Sequence, residues 1–289
     1  MPRRLAIARL LLAIPPFLLA LGILGGAIVA SGLFTKRFHP FLFRTWARVT
    51  LWIGGIRMRA EGAQHIDPCR QYIFVANHQS ILDIPLITAA LPQPPRFVAK
   101  SSLDRIPFFS AIMRQLGTVP IDRSNHVEAI AKLREARSSL VKRQGAVIFF
   151  AEGTRTRDGE LLPFKKGAVV TALALQAPLV PIAIAGAFEA LSRNEFALRP
   201  GPVRVVIGEP IAVGEDTPDE KERLMESIQQ RVRALYEGIR HDLDPAKREE
   251  GAAAEPEAAM LPLPSTPAAR RERLDSPDAP DPKEKKSLP

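Results

Sequence analysis

Tyr72-Ile73-Phe74-Val75-Ala76 is an unbroken apolar run, and it passes directly into Asn77-His78-Gln79-Ser80-Ile81-Leu82-Asp83. Consecutive apolar residues suit a strand covered on both faces, as in a parallel sheet lying between layers of helix. Arg57-Met58-Arg59, Phe97-Val98-Ala99 and the stretches 118–121, 146–151, 179–184 and 203–207 also read as strands. Helical patterns fall between them. Ser124 or Asn125 caps a predicted helix reaching about Arg143, where Lys142, Arg143 and Gly145 form a cationic last turn and a stop. Thr217-Pro218-Asp219-Glu220 has the form of a capping box with proline at the first helical position, opening a helix to about Arg240. The alternation predicts an α/β fold, a largely parallel mixed sheet flanked by helices.

The two ends of the chain differ from this body. Residues 10–34 form a 25-residue run without a charge, interrupted by Pro15-Pro16 and Gly25-Gly26 and flanked by Arg3, Arg4, Arg9, Lys36 and Arg37. That length suffices to cross a hydrocarbon core, although basic residues at both flanks leave the orientation undecided. Residues 38–53 carry Arg44 and Arg48 four apart with Trp46 and Trp52 among aliphatics, the pattern of an amphipathic helix lying in a headgroup region. The net charge of +9 comes wholly from residues 1–60, which hold nine bases and no acid. An excess beside the most apolar segment points to a membrane surface rather than to nucleic acid. Residues 245–289, with 9 of the 27 prolines and few aliphatics, are expected to be a disordered tail. The expected organisation is therefore a membrane anchor with an amphipathic helix (1–55), a folded domain (56–244) and a tail (245–289). A single cysteine, Cys69, permits no intrachain disulfide, so the body suits a reducing cytoplasm.

In an open α/β sheet the carboxyl ends of the strands line the ligand crevice, which is where the first stretch puts His78. Five residues along a regular helix would turn Asp83 away from His78, so the pair can meet only if the helix begins after the histidine. With Ser80 as cap, Asp83 falls at the third helical position and can accept from the imidazole, leaving the other nitrogen as a base. Ser80-x-x-Asp83 is equally a plain capping box. A second loop, Glu152-Gly153-Thr154-Arg155-Thr156-Arg157, leaves the strand 146–151 with a glycine, hydroxyls and two guanidinium groups, a grip for phosphate or a polyol. Gly117 to Arg123 and Phe97 to Lys100 are two more strand ends finishing in a cation. Gly-x-Ser-x-Gly, Gly-x-Gly-x-x-Gly and the phosphate-loop lysine motif are missing, which removes serine hydrolases, nucleotide dehydrogenases and NTPases from the candidates.

Four blocks in order, Asn77-His78 to Asp83, Gly117 to Arg123, Phe150 to Arg155 and Val180-Pro181-Ile182, make residues 55–210 resemble the lysophosphatidate acyltransferases of the glycerolipid acyltransferase superfamily. The resemblance implies transfer of a fatty acyl group from acyl-CoA or acyl carrier protein to the sn-2 hydroxyl of 1-acylglycerol 3-phosphate, giving phosphatidic acid. It makes His78 the base and Asp83 its orienting partner. Arg123, Glu152, Gly153, Thr154 and Arg155 would hold the phosphoglycerol, with Lys100 near the phosphate. It implies no metal and no cofactor beyond the acyl thioester, with membrane lipids as partners, no nucleic acid, and an active site on the cytoplasmic side of a membrane such as a bacterial inner membrane. The oxyanion would be met by backbone amides near the helix start or by water. Two positions depart from the family pattern: Ala151 stands where proline is usual before the glutamate, and Ser102 where a glutamate commonly follows the lysine. The same blocks occur in acylators of glycerol 3-phosphate and of lyso-ornithine lipids, and a membrane-anchored lipid binder with a dead site is the reading from another class.

Overall fold

The computed structural model describes residues 39–100, 119–121, 146–193, 195 and 198–243. The anchor run 10–34, the predicted helix 124–143, Arg123 and the tail 245–289 lie outside them. In chain order the elements are α1 (His39–Ile53), β1 (Ile56–Glu61), β2 (Tyr72–Ala76), α2 (Asp83–Ala90), β3 (Pro95–Lys100), β4 (Val119–Ile121), β5 (Ala146–Phe150), α3 (Gly167–Leu175), β6 (Leu179–Ala185), α4 (Ala187–Ala190), β7 (Gly201–Ile207) and α5 (Pro218–Leu243). Every stretch read as a strand is one. They form a seven-stranded sheet in the order β1-β7-β6-β2-β5-β3-β4. Strands β6, β2, β5, β3 and β4 pair in parallel, while β7 runs antiparallel to β6 and carries β1 parallel to itself at the edge.

Alternate residues of β2 enter two cores. Tyr72, Phe74 and Ala76 face α1 and α2, whereas Ile73 and Val75 face α3 and α5. All five are buried, as a strand covered on both faces requires. α5 seats Leu224, Ile228, Val232 and Tyr236 at intervals of four, one stripe of a helix against the sheet. Its start makes half of the predicted capping box: Glu220 N–H donates to Thr217 Oγ1 at 3.2 Å, but the Glu220 carboxylate turns to Gly214 N–H and Arg223. α3 is buried nearly all round, so its apolar residues show no 3.6-residue period to announce it.

The expectation for residues 38–53 needs correcting. α1 is a helix, but its apolar stripe Phe43, Ala47 and Leu51 is buried in the body instead of facing outward. Arg44 turns inward as well, donating to Leu91 O at 2.6 Å and Pro92 O at 2.9 Å where α2 ends. Phe41 and Trp52 remain on the outside, 69% and 79% exposed. Among the described residues no helix is long and apolar enough to cross a membrane.

Candidate active site

The carboxyl ends of β2, β5 and β6 lie side by side, so the loops that follow them converge. Buried Asn77 continues the β2 ladder with its side chain: Nδ2 donates to Ile184 O at 2.9 Å and Oδ1 accepts Ile184 N–H at 2.8 Å. On the other flank Ala151 N–H donates to Ala76 O at 3.0 Å and Thr156 N–H to His78 O at 2.9 Å. Proline at 151 has no N–H to give, so the alanine found there makes a tie that the family's usual residue cannot make. The backbone on both sides of His78 is thereby fixed.

His78 Nδ1 lies 2.7 Å from Asp83 Oδ2. The same oxygen accepts Gln79 N–H at 2.7 Å and Ser80 N–H at 3.0 Å, so it bears no proton and the imidazole must donate from Nδ1. Nε2 is left with its lone pair. Ser80 Oγ accepts Leu82 N–H at 3.2 Å, so Ser80 and Asp83 brace the turn ahead of α2, which begins at Asp83 and not, as expected, at the residue after Ser80. Bracing that turn and orienting the imidazole are therefore not alternatives, since one carboxylate oxygen does both. The imidazole stacks on Phe150 with 3.9 Å between ring centroids and 14° between planes, which fixes the ring's remaining rotation. Its side chain is 18% exposed, open on one side only.

Glu152 is 3% exposed and faces the chain itself. Its Oε1 accepts His78 N–H at 2.9 Å and its Oε2 accepts Leu162 N–H at 3.2 Å, so the carboxylate implied to hold phosphoglycerol binds two loops together instead. Burial pushes it up to about 7, against the opposing pull of those two N–H bonds and with Asp83 adding to the rise. Because the folded protein holds this proton where the unfolded chain has released it, Glu152 should make stability decline as pH rises from about 4.5 to about 7. The slope is expected to reach at most about 1.4 kcal/mol per pH unit. Denaturant midpoints measured across that window should lose this component in Glu152→Gln, and an unchanged slope would remove the assignment.

The N–H groups of His78, Gln79 and Ser80 donate to carboxylates of the chain itself, so these three amides near the start of α2 are already engaged. Gly153 has φ of +73°, a conformation that strains any residue with a side chain, and a Cβ there would lie 3.0 Å from Lys165 Nζ. Thr154 is exposed and the half-buried Arg155 guanidinium has no partner among the described residues. Lys100 is the last residue of β3, two strands from β2 across β5.

One support for the site has no local sequence signal. Gln79 Nε2 donates to Tyr236 Oη at 2.9 Å, and Tyr236 Oη donates to Gly159 O at 2.7 Å. α5 thus clamps the residue after His78 to the loop after Arg155, all three groups being buried. Burial pushes the Tyr236 hydroxyl up to about 12, which keeps it a donor at neutral pH. Tyr236→Phe is expected to lower stability by about 1–2 kcal/mol and kcat several-fold, with both Michaelis constants little changed. Thermal melts and steady-state kinetics on one preparation check this.

Ser80 Oγ is occupied by Leu82 N–H and Leu191 O, so it is not held by His78. A ring nitrogen left over beside a buried carboxylate can act as a general base. Residues 57–185 match the family model described as Acyltransferase. The chain is 33% identical over 189 residues to a 1-acyl-sn-glycerol-3-phosphate acyltransferase of Cocos nucifera, covering 65% of this chain and 59% of that protein. It is 31% identical over 192 residues to the alpha form of Mus musculus, covering 66% and 67%. The crystal structure of the 1-acyl-sn-glycerophosphate acyltransferase of Thermotoga maritima superposes with a TM-score of 0.65 at 25% identity, over 79% of this chain and 97% of that one. The protein belongs to the acyltransferase family that contains these 1-acyl-sn-glycerol-3-phosphate acyltransferases. It spans about three fifths of the length of the first of these relatives.

Proposed function

We propose that the protein is an O-acyltransferase that moves a fatty acyl group from acyl-CoA or acyl carrier protein to the sn-2 hydroxyl of 1-acylglycerol 3-phosphate. The observation that carries the reading is the 2.7 Å contact between His78 Nδ1 and Asp83 Oδ2, which leaves Nε2 to accept a proton. The acceptor hydroxyl gives that proton to Nε2 as its oxygen attacks the thioester carbonyl. The tetrahedral intermediate then expels the sulfur, breaking the C–S bond, and the imidazolium returns its proton to the departing thiolate. Ester and free thiol are the products, and the histidine ends as it began. Asp83 stabilises the imidazolium between the two steps, as a buried partner carboxylate does in other histidine-base enzymes. Phosphate in the acceptor is matched by the Arg155 guanidinium, unpartnered among the described residues, a fork that clasps a phosphate through parallel hydrogen bonds. Work at a membrane surface is supported by exposed Phe41, Arg48 and Trp52 on α1 and by the basic, apolar sequence before it.

The test is thiol release from acyl-CoA with lysophosphatidate, glycerol 3-phosphate or lyso-ornithine lipid as acceptor. Release dependent on lysophosphatidate, and much slower with the other two, is the expected result. Equal rates with lyso-ornithine lipid would overturn the phosphate-selective reading, and no release with any acceptor would overturn the enzyme.

A further inference from the structure

Arg193 belongs to none of the sequence blocks, yet the structure brings it to the loop that follows β5. Its guanidinium donates to Thr154 Oγ1 at 2.9 Å and makes a longer contact with Arg155 O at 3.5 Å. The segment bearing it is fixed from the catalytic side, because Ser80 Oγ donates to Leu191 O at 2.6 Å. Arg199 N–H closes the loop at its base on Ala190 O at 2.8 Å. Arg193 is thus held between the His78 loop and the Gly153–Arg155 loop rather than left free in solvent.

The charges around it do not balance. Among the described residues Arg155 and Arg193 have no carboxylate partner, and Lys165 Nζ overlies Gly153. The acids nearby are otherwise engaged: Glu195 with Arg199, Asp158 with Thr156 Oγ1 and Glu160 N–H, and Glu152 with backbone beneath the loop. Arg193 at the Thr154 hydroxyl, with Arg155 next in the chain and Lys165 beside Gly153, suits an anion of more than one charge. A guanidinium that spends one N–H on a neutral hydroxyl keeps the rest of its fork for that anion.

We infer that Arg193 is a substrate-binding residue, clasping a phosphate monoester together with Arg155 over Thr154. This rests on the function proposed above, under which the monoester is that of lysophosphatidate; the 3′-phosphate of coenzyme A is the other source of the same chemistry.

The test uses the full chain in detergent and compares it with Arg193→Gln and Arg193→Lys. Glycerol 3-phosphate should raise the melting temperature of the wild type, with a smaller shift in Arg193→Lys and almost none in Arg193→Gln. In kinetics Arg193→Gln should raise the Michaelis constant for lysophosphatidate about tenfold or more, leaving that for acyl-CoA within about twofold. A rise confined to acyl-CoA, abolished when acyl-pantetheine replaces it, assigns the same clasp to the donor's phosphate. Unchanged constants and an undiminished glycerol 3-phosphate shift overturn the inference. A wild type that binds glycerol 3-phosphate through Arg193 but transfers no acyl group overturns the proposed function and leaves the phosphate site standing.

Discussion

His78→Ala is expected to lower acyl transfer by roughly 10²–10⁴-fold, with folding and association with lipid vesicles retained. The imidazole is a terminal group here. Its Nδ1 hangs on Asp83, its face rests on Phe150, and the backbone ties to Glu152 and Thr156 use main-chain atoms that alanine preserves. Removal of the ring therefore deletes the base without releasing the loop. The check is single-turnover thiol release beside a thermal melt; turnover near that of the wild type would falsify the assignment of His78.

Asp83→Asn is the second large effect, and the structure separates its two causes. Asparagine retains an oxygen for Gln79 N–H and Ser80 N–H, so the turn ahead of α2 should hold and the variant lose no more than about 1 kcal/mol. What asparagine lacks is the charge that balances an imidazolium, since its one oxygen can replace Oδ2 toward all three groups without supplying that charge. A loss on the order of 10³-fold or more is expected. Asp83→Ala should also release that turn, lowering the melting temperature as well as the rate. If the asparagine variant instead melts early and turns over normally, the carboxylate braces the turn and nothing more.

How much of this was legible in the sequence follows from which forces were local. Strands covered on both faces leave a mark in consecutive residues, so β2, β5 and β6 stood out as apolar runs. The reversal of β7 and β1 left no such mark, because strand direction is set by partners far along the chain. His78 and Asp83 were legible through the cap geometry between them. Glu152 was legible as a loop acid, but its burial depends on Leu162 and His78 closing over it. Gln79 and Tyr236 meet across 157 residues, and Arg193 reaches Thr154 from a segment without a motif, so neither pairing has a local signature.

The place of β1 in the sheet has a consequence for how the protein is made. Its ladder partner is β7, with Ile56 opposite Gly201, so β1 leaves the ribosome long before anything exists for it to pair with. The nascent chain carries an open edge strand, next to α1 with its outward Phe41 and Trp52, throughout the synthesis of β2 to β6. The Tyr236 clamp comes later still, on the last helix of the body. Closure of the β1 edge and bracing of the active site are thus both late events in translation, and a chain stopped before β7 would expose the first and lack the second.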